Sequence, residues 1–128
     1  MRILVTGGRD YVDRFWDDER GYWVYYIGPK SAKMKQVLDV FVKPDDVIVH
    51  GAAKGADSMA DDYAKANGIL PEPHPADWDT HGKRAGYLRN QEMLDTGIDK
   101  VIAFPGGKGT AMMVQIAEKA GVPVVVVE

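Results

Sequence analysis

Apolar residues in this chain fall into short continuous runs separated by stretches with helical spacing. Arg2 to Thr6 (RILVT), Asp46 to His50 (DVIVH), Lys100 to Phe104 (KVIAF) and Val124 to Val127 have no regular polar alternation. Such runs predict strands covered on both faces. Ile69 to His74 is a weaker strand, interrupted by Pro71 and Pro73. Between the runs, Met34, Val37, Leu38 and Phe41 mark a helix over Ser31 to Val42, with Ser31 as the expected N-cap. Ala56 to Asn67 turns Met59, Ala60, Tyr63 and Ala64 inward and stops at Gly68. A third helix covers Gly82 to Asp95, and a fourth runs from about Thr110 to Ala120 before Gly121. Strands alternating with helices predict a single α/β domain over residues 1–128. It is a three-layer, Rossmann-like fold with about five mostly parallel strands flanked by helices.

One segment breaks the pattern. Tyr11 to Lys30 (YVDRFWDDERGYWVYYIGPK) separates the first strand from its helix and carries seven of the chain's twelve aromatic residues. It is long for a connection that usually takes roughly 2–6 residues. One reading is a small hairpin packing its rings onto the domain. The other is a lid over a ligand site, or a self-association surface, since Tyr and Trp favour half-buried positions.

Composition narrows the classes. With 45% hydrophobic and 27% charged residues the chain is an ordinary globular protein, and its lack of cysteine excludes disulfides and thiolate metal sites. No apolar run approaches the roughly 20 residues of a membrane span. The N-terminus lacks a signal-peptide pattern, so a cytoplasmic location is expected. A net charge of -3 argues against a general nucleic-acid binder, while leaving room for a local basic pocket.

Three loops share the carboxyl edge of the predicted sheet, where open parallel sheets bind ligands. They are Thr6-Gly7-Gly8-Arg9-Asp10, Gly51-Ala52-Ala53-Lys54-Gly55-Ala56-Asp57 and Pro105-Gly106-Gly107-Lys108-Gly109-Thr110. Each joins small residues, which let backbone amides approach an anion, to a cation. None is a standard nucleotide fingerprint. Met112 stands where GxGxxG needs its third glycine, and nothing fits GxxxxGK[ST].

The connection from His74 to Arg84 (HPADWDTHGKR) offers Trp78 to stack on a base or sugar and Lys83 and Arg84 to face an anion. In the plainer reading Trp78 is a packing anchor and Asp77 or Asp79 a cap. A metal site from His74, Asp77, Asp79 and His81 has spacing that specifies no geometry, so no metal or other cofactor is expected. His50 reads as a strand-end residue. Arg89, followed by Asn90, has a planar fork suited to phosphate, although such an arginine is also common on a solvated face.

Taken together, ILVTGGRDY, HGAAKGADSMAD, PADWDTHGKRAGYLRNQEML and VIAFPGGKGTAMMV resemble the YspA-type branch of the SLOG superfamily. That group also includes the LOG phosphoribohydrolases and the DprA/Smf proteins. The motifs span nearly the whole chain except about 15–30, which looks like an insertion. The resemblance implies a Rossmann-like fold, a nucleotide-related ligand and a homo-oligomer. In the LOG enzymes an upstream arginine and a glutamate within PGGxGTxxE are associated with cleavage of a nucleoside monophosphate. Arg89 resembles that arginine, and Gly106, Gly107, Gly109 and Thr110 match the phosphate loop. The glutamate position falls on Met113, which can neither move a proton nor stabilise a cationic centre.

Two functions follow as expectations. The first is a binding protein or sensor for a nucleoside monophosphate or ADP-ribose-like ligand. Lys54, Lys108 and Arg89 would neutralise its phosphate, and Asp10 or Asp57 would take ribose hydroxyls. The second is an N-glycosidic hydrolase using Arg89, with Asp10, Asp57 or Asp77 replacing the missing glutamate. A DprA-like module for single-stranded nucleic acid is disfavoured by the acidic balance.

Overall fold

The computed structural model describes residues 1–128. Its centre is a parallel five-stranded sheet in the order β5-β4-β1-β6-β7, made from β1 (Arg2–Thr6), β4 (Val47–His50), β5 (Leu70–Pro73), β6 (Lys100–Ala103) and β7 (Val124–Val126). The chain builds outward from β1 to one edge, then returns to the other side of β1. The order therefore reverses between β1 and β6, and the loops after those two strands diverge to opposite faces.

Alternation along β1 sorts the core. Ile3 and Val5 point into one cluster with Ile48, Ile102 and Phe104, covered by α1 (Pro29–Phe41) and α2 (Ala56–Ala66). Leu4 points the other way, with Val49 and Val101, beneath α4 (Ala85–Asp95) and α5 (Lys108–Lys119). Both faces are covered, as strands without polar alternation require. A short helix α3 (Trp78–His81) and a 3-10 turn (Gly82–Arg84) lead into α4. The single helix expected from Gly82 is thus broken, and its regular part begins at Ala85. Gly82 has φ +56, which ends α3.

Ser31 is not the N-cap of α1. The helix starts earlier, at Pro29, whose missing N–H suits a first helical position. Asp13 caps it from a distance, accepting from the amides of Gly28, Lys30 and Ser31 and from the Ser31 hydroxyl at 2.8–3.0 Å. Burial works to raise the Asp13 pKa, but these donors outweigh it and hold the carboxyl below its usual range.

Asp13 also closes the odd segment, because residues 13 and 28 are the two ends of an excursion. Within it, β2 (Arg14–Asp17) and β3 (Tyr22–Tyr25) form an antiparallel hairpin. The hairpin reading holds, but its rings are not packed onto the domain. Phe15, Trp16, Tyr22, Trp23, Tyr25 and Tyr26 remain exposed, and Trp16 meets Trp23 edge-on across the strands at 5.5 Å. Of the seven aromatics only Tyr11 is buried, against Phe104. No helix is long and apolar enough to cross a membrane.

The prolines in β5 are accommodated because β5 is an edge strand, paired only with β4. Arg2 fastens this edge. Its guanidinium makes a two-pronged contact with Glu72 at 2.6 Å and also donates to Thr96 and the Gly97 carbonyl. With His74 on the same carboxylate, Arg2 lowers the Glu72 pKa to about 2 from 4.5. A depressed carboxylate pKa adds stability that is complete above the unfolded value and is lost as pH falls through the folded one. Stability measured by denaturant titration should therefore decline between pH 4.5 and about 2. In Glu72→Gln that part of the decline should be absent, and an unchanged slope would show that the contact carries no linkage.

Candidate functional site

The loops that follow β1, β4 and β6 meet at the carboxyl edge, as their sequences predicted, and they interlock through backbone. The Gly8 amide donates to the Pro105 carbonyl at 2.9 Å, while the Gly8 carbonyl accepts from Ala56 and Tyr11 at 3.1 Å. A side chain on Gly55 would collide with the backbone oxygens of Gly8 and Arg9, and Gly55 has φ +80 besides. One on Gly106 would collide with the Thr110 hydroxyl and the Gly8 amide. Close approach, not ligand contact, is therefore what glycine supplies at these two positions.

Above this knot lies a cleft of about 380 Å³. Thr6, Gly7, Gly8 and Arg9 form one wall, Gly51 and Asp57 a second, and Gly107, Gly109 and Thr110 a third. Trp78, Lys83, Arg89 and Asn90 complete it from the α3–α4 region. The other expected residues lie elsewhere. Asp10 is exposed and pairs with Arg14 at 3.1 Å, and Asp77 caps α3 by accepting from the Thr80 amide. Lys54 faces the hairpin, and Lys108 lies on the outer flank of α5. Gly55, Ala56, Pro105 and Gly106 support the loops and do not line the cleft. The four-residue metal arrangement does not form: His74 is held by Glu72, and no His, Asp or Glu cluster can hold a metal ion.

Sequence reading did not single out Val5, Ala53, Gly86, Tyr87 and Met93, all on the cleft wall. Helical spacing held part of the signal, because Gly86, Asn90 and Met93 fall on the face of α4 that carries Arg89. Trp78 and Tyr87 stay half-exposed, giving the cleft aromatic surface.

The charges inside are unbalanced. Arg9, Lys83 and Arg89 have no salt-bridge partner, and Asp57 is the one acidic residue on the wall. Arg9 lies over the Trp78 ring, 5.3 Å from its centroid. Burial lowers the Arg89 pKa, Asp57 opposes that, and nearby Arg9 lowers it further. Two guanidinium groups facing one small volume repel each other until an anion enters.

Arg89 is also anchored. Its Nη1 donates to the Gly51 carbonyl and reaches the His74 carbonyl at 3.5 Å, and its Nε donates to Asn90 Oδ1 at 3.1 Å. Nη2 has no protein acceptor. Asn90 is buried, and its amide ties α4 to the Gly109 carbonyl of α5, so it orients Arg89 from below. Asp57 Oδ2 accepts from the Gly51 and Ala53 amides at 3.1 and 3.2 Å. Its Oδ1 has no partner but is not sealed from solvent, which leaves it open to the cleft. Burial is the main influence raising the Asp57 pKa, against the Ala53 amide and the Arg89 charge.

The turn that presents Asp57 is strained: Ala52 has φ +57, at a cost of about 1 kcal/mol. Buried His50 braces it, with Nδ1 accepting from the Ala52 amide and Nε2 bonded to Asp61 at 2.8 Å. Gly107 is the N-cap of α5 and no side chain caps the helix, so its first amides and the positive end of its dipole face the cleft. Met113 is absent from the cleft wall. It is fully buried among Leu4, Val49, Met93, Val101 and Ala117.

Residues 32–81, from α1 to the end of α3, match the family model YAcAr, described as the YspA, cpYpsA-related SLOG family. The chain is also 39% identical over 136 residues to the Gene 61 protein of Mycobacterium phage D29, an alignment covering 97% of this chain and 94% of that protein.

Gly109 tests whether the cleft constrains the sequence. It lies inside α5 and a Cβ there would meet nothing within 4 Å. Gly109→Ala should therefore raise stability by about 0.5–1 kcal/mol while narrowing the cleft. Gly55→Ala should instead lower stability by about 2 kcal/mol or more, through its φ and the clash with Gly8. Thermal unfolding of both variants checks this, and equal effects would contradict the separation of packing from cleft glycines.

Proposed function

Because the chain belongs to the YspA, cpYpsA-related SLOG family, we propose that it binds a nucleotide or nucleotide-derived anion in the cleft at the carboxyl edge of the sheet. Family membership suggests a nucleotide-related ligand, and the observation that carries the reading is the charge of the wall. Three unpaired cations and an uncapped helix N-terminus face one carboxyl group, in a chain whose net charge is -3. A phosphate at the Gly107–Thr110 amides meets Arg89 Nη2 and Arg9. Trp78 or Tyr87 stacks on the base, and Asp57 Oδ1 accepts from a ribose hydroxyl. The protein then acts as a binder or sensor for a nucleoside monophosphate or ADP-ribose-like molecule.

Calorimetry and thermal shift with AMP, ADP-ribose and NAD check the reading. At least one should bind below about 1 mM, and ligand at about 100 times Kd should add about 2.7 kcal/mol of stability. Arg9→Ala, which breaks no hydrogen bond within the protein, should weaken binding by about tenfold and reduce its salt dependence. Silence across the panel would sink the proposal.

One observation favours a second reading, an N-glycosidic hydrolase. Of the three aspartates considered as replacements for the glutamate, Asp57 alone lines the cleft, and its pKa is raised as a general acid requires. Protonation of the leaving base by Asp57 would accompany cleavage of the C–N bond, with water adding to the ribose carbon. Incubation with nucleoside monophosphates should release free base, and Asp57→Asn should abolish release while keeping binding. Absence of released base from the wild type would exclude this reading and leave the binder intact.

A further inference from the structure

A second lobe of about 490 Å³ opens between the hairpin and α2. Lys54, Ser58 and Asp62 bound it on the domain side, and Tyr25 and Tyr26 on the hairpin side. Arg9 lines both this lobe and the cleft, so the two spaces adjoin at its side chain. Neither Arg9 nor Lys54 has a carboxylate partner. Two other charges on this wall are already engaged: Asp13 by its four donors, and Arg14 by Asp10 and the Trp23 ring at 4.3 Å. Ser58 and Asp62 stand one helical turn apart on α2, offering a hydroxyl and a free carboxylate on the same face. Tyr25 and Tyr26 are 62% and 50% exposed, so the hairpin leaves their rings uncovered. The lobe thus holds Arg9 at its junction with the cleft, Lys54 and hydrogen-bonding groups suited to sugar hydroxyls beyond it, and aromatic surface on the hairpin side.

We propose that this lobe receives the far half of an elongated ligand, in which two nucleoside or sugar units are joined by a pyrophosphate that lies at Arg9. The proposal rests on the nucleotide reading of the cleft and extends it to a specific ligand class. A cleft of about 380 Å³ is at the small end for ligand sites and suits one nucleotide unit. The second unit passes Arg9 and meets Lys54, Ser58, Asp62 and the tyrosines. Asp13 fixes the base of the hairpin to α1, so the lobe is preformed and ordering it costs little on binding. The Tyr11 to Lys30 segment is then a specificity element for ligand length.

Calorimetry on the full chain with AMP, ADP-ribose and NAD as probes tests this, using wild type, Lys54→Ala and Tyr26→Ala, with circular dichroism verifying the fold. At least one of the two elongated probes should bind about tenfold or more tighter than AMP. Each substitution should weaken that probe by about three- to tenfold and leave AMP within about twofold, since neither residue lines the cleft. If AMP binds as well as both elongated probes, or if the substitutions weaken all ligands equally, the second lobe is not a subsite and the cleft reading survives. If no probe binds at all, both proposals fall together.

Discussion

Everything at the carboxyl edge depends on how closely the backbone of Gly8 is packed. Its amide is bound to the loop after β6 and its carbonyl to the first residue of α2, so one residue joins three separate segments. That contact leaves no volume for a side chain on Gly55 or Gly106. The small residues at these points are therefore a packing requirement first. What this packing exposes is the wall of the cleft: the start of α5, and the side chains of Arg9, Asp57 and Arg89 around it. A cleft built on backbone contacts needs little reorganisation to meet an anion, which is the property a binding site for phosphate requires.

Arg89 shows how structure and recognition share one side chain. Nη1 is committed to carbonyls at the ends of β4 and β5, and Nε to Asn90, which fixes the plane of the guanidinium. Only Nη2, with its two N–H groups, is uncommitted, so Arg89 offers one positioned nitrogen where a freely moving arginine can present its whole fork. Burial keeps its charge poorly solvated, and Asp57 is near enough to matter without forming an ion pair. Arg9, Lys83 and Arg89 bring three cations to the cleft, and its one carboxyl group, Asp57, lies beside Arg89 around Gly51.

Much of the fold was legible because the strands are continuous apolar runs and the helices have clear stripes. Both signals are local. The three loops could be assigned to one edge because parallel topology puts every strand's carboxyl end on the same side. Non-local facts were hidden. Ser31 looked like an N-cap because nothing local shows that Asp13, eighteen residues earlier, takes that role. Lys54 and Lys108 looked equivalent to Arg9 by motif, but a loop pattern does not say which way a flexible side chain leaves the backbone. Nothing local marks Tyr87 as a wall residue, since an aromatic on a helix is as often core. The aromatic segment read either as a hairpin with packed rings or as a lid or association surface, since composition alone cannot distinguish an aromatic surface from an aromatic core.

Met113 brings these levels together. The resemblance to the LOG motif would put a glutamate at this position, which invites the idea that a glutamate here would supply the chemistry. In the structure the Met113 side chain is packed between β1, β4 and β6 on one side and α4 on the other. A carboxylate there would be buried without a partner and would destabilise the fold by several kcal/mol before contributing to any reaction. Met93, in the same apolar cluster, does reach the cleft, which shows that α5 has turned this position into packing while α4 supplies the wall. Any acid used in this site must therefore come from the other side, where Asp57 is held by the turn after β4. An apolar layer that extends to the edge of the cleft therefore leaves this position to packing, with no place for a charged group.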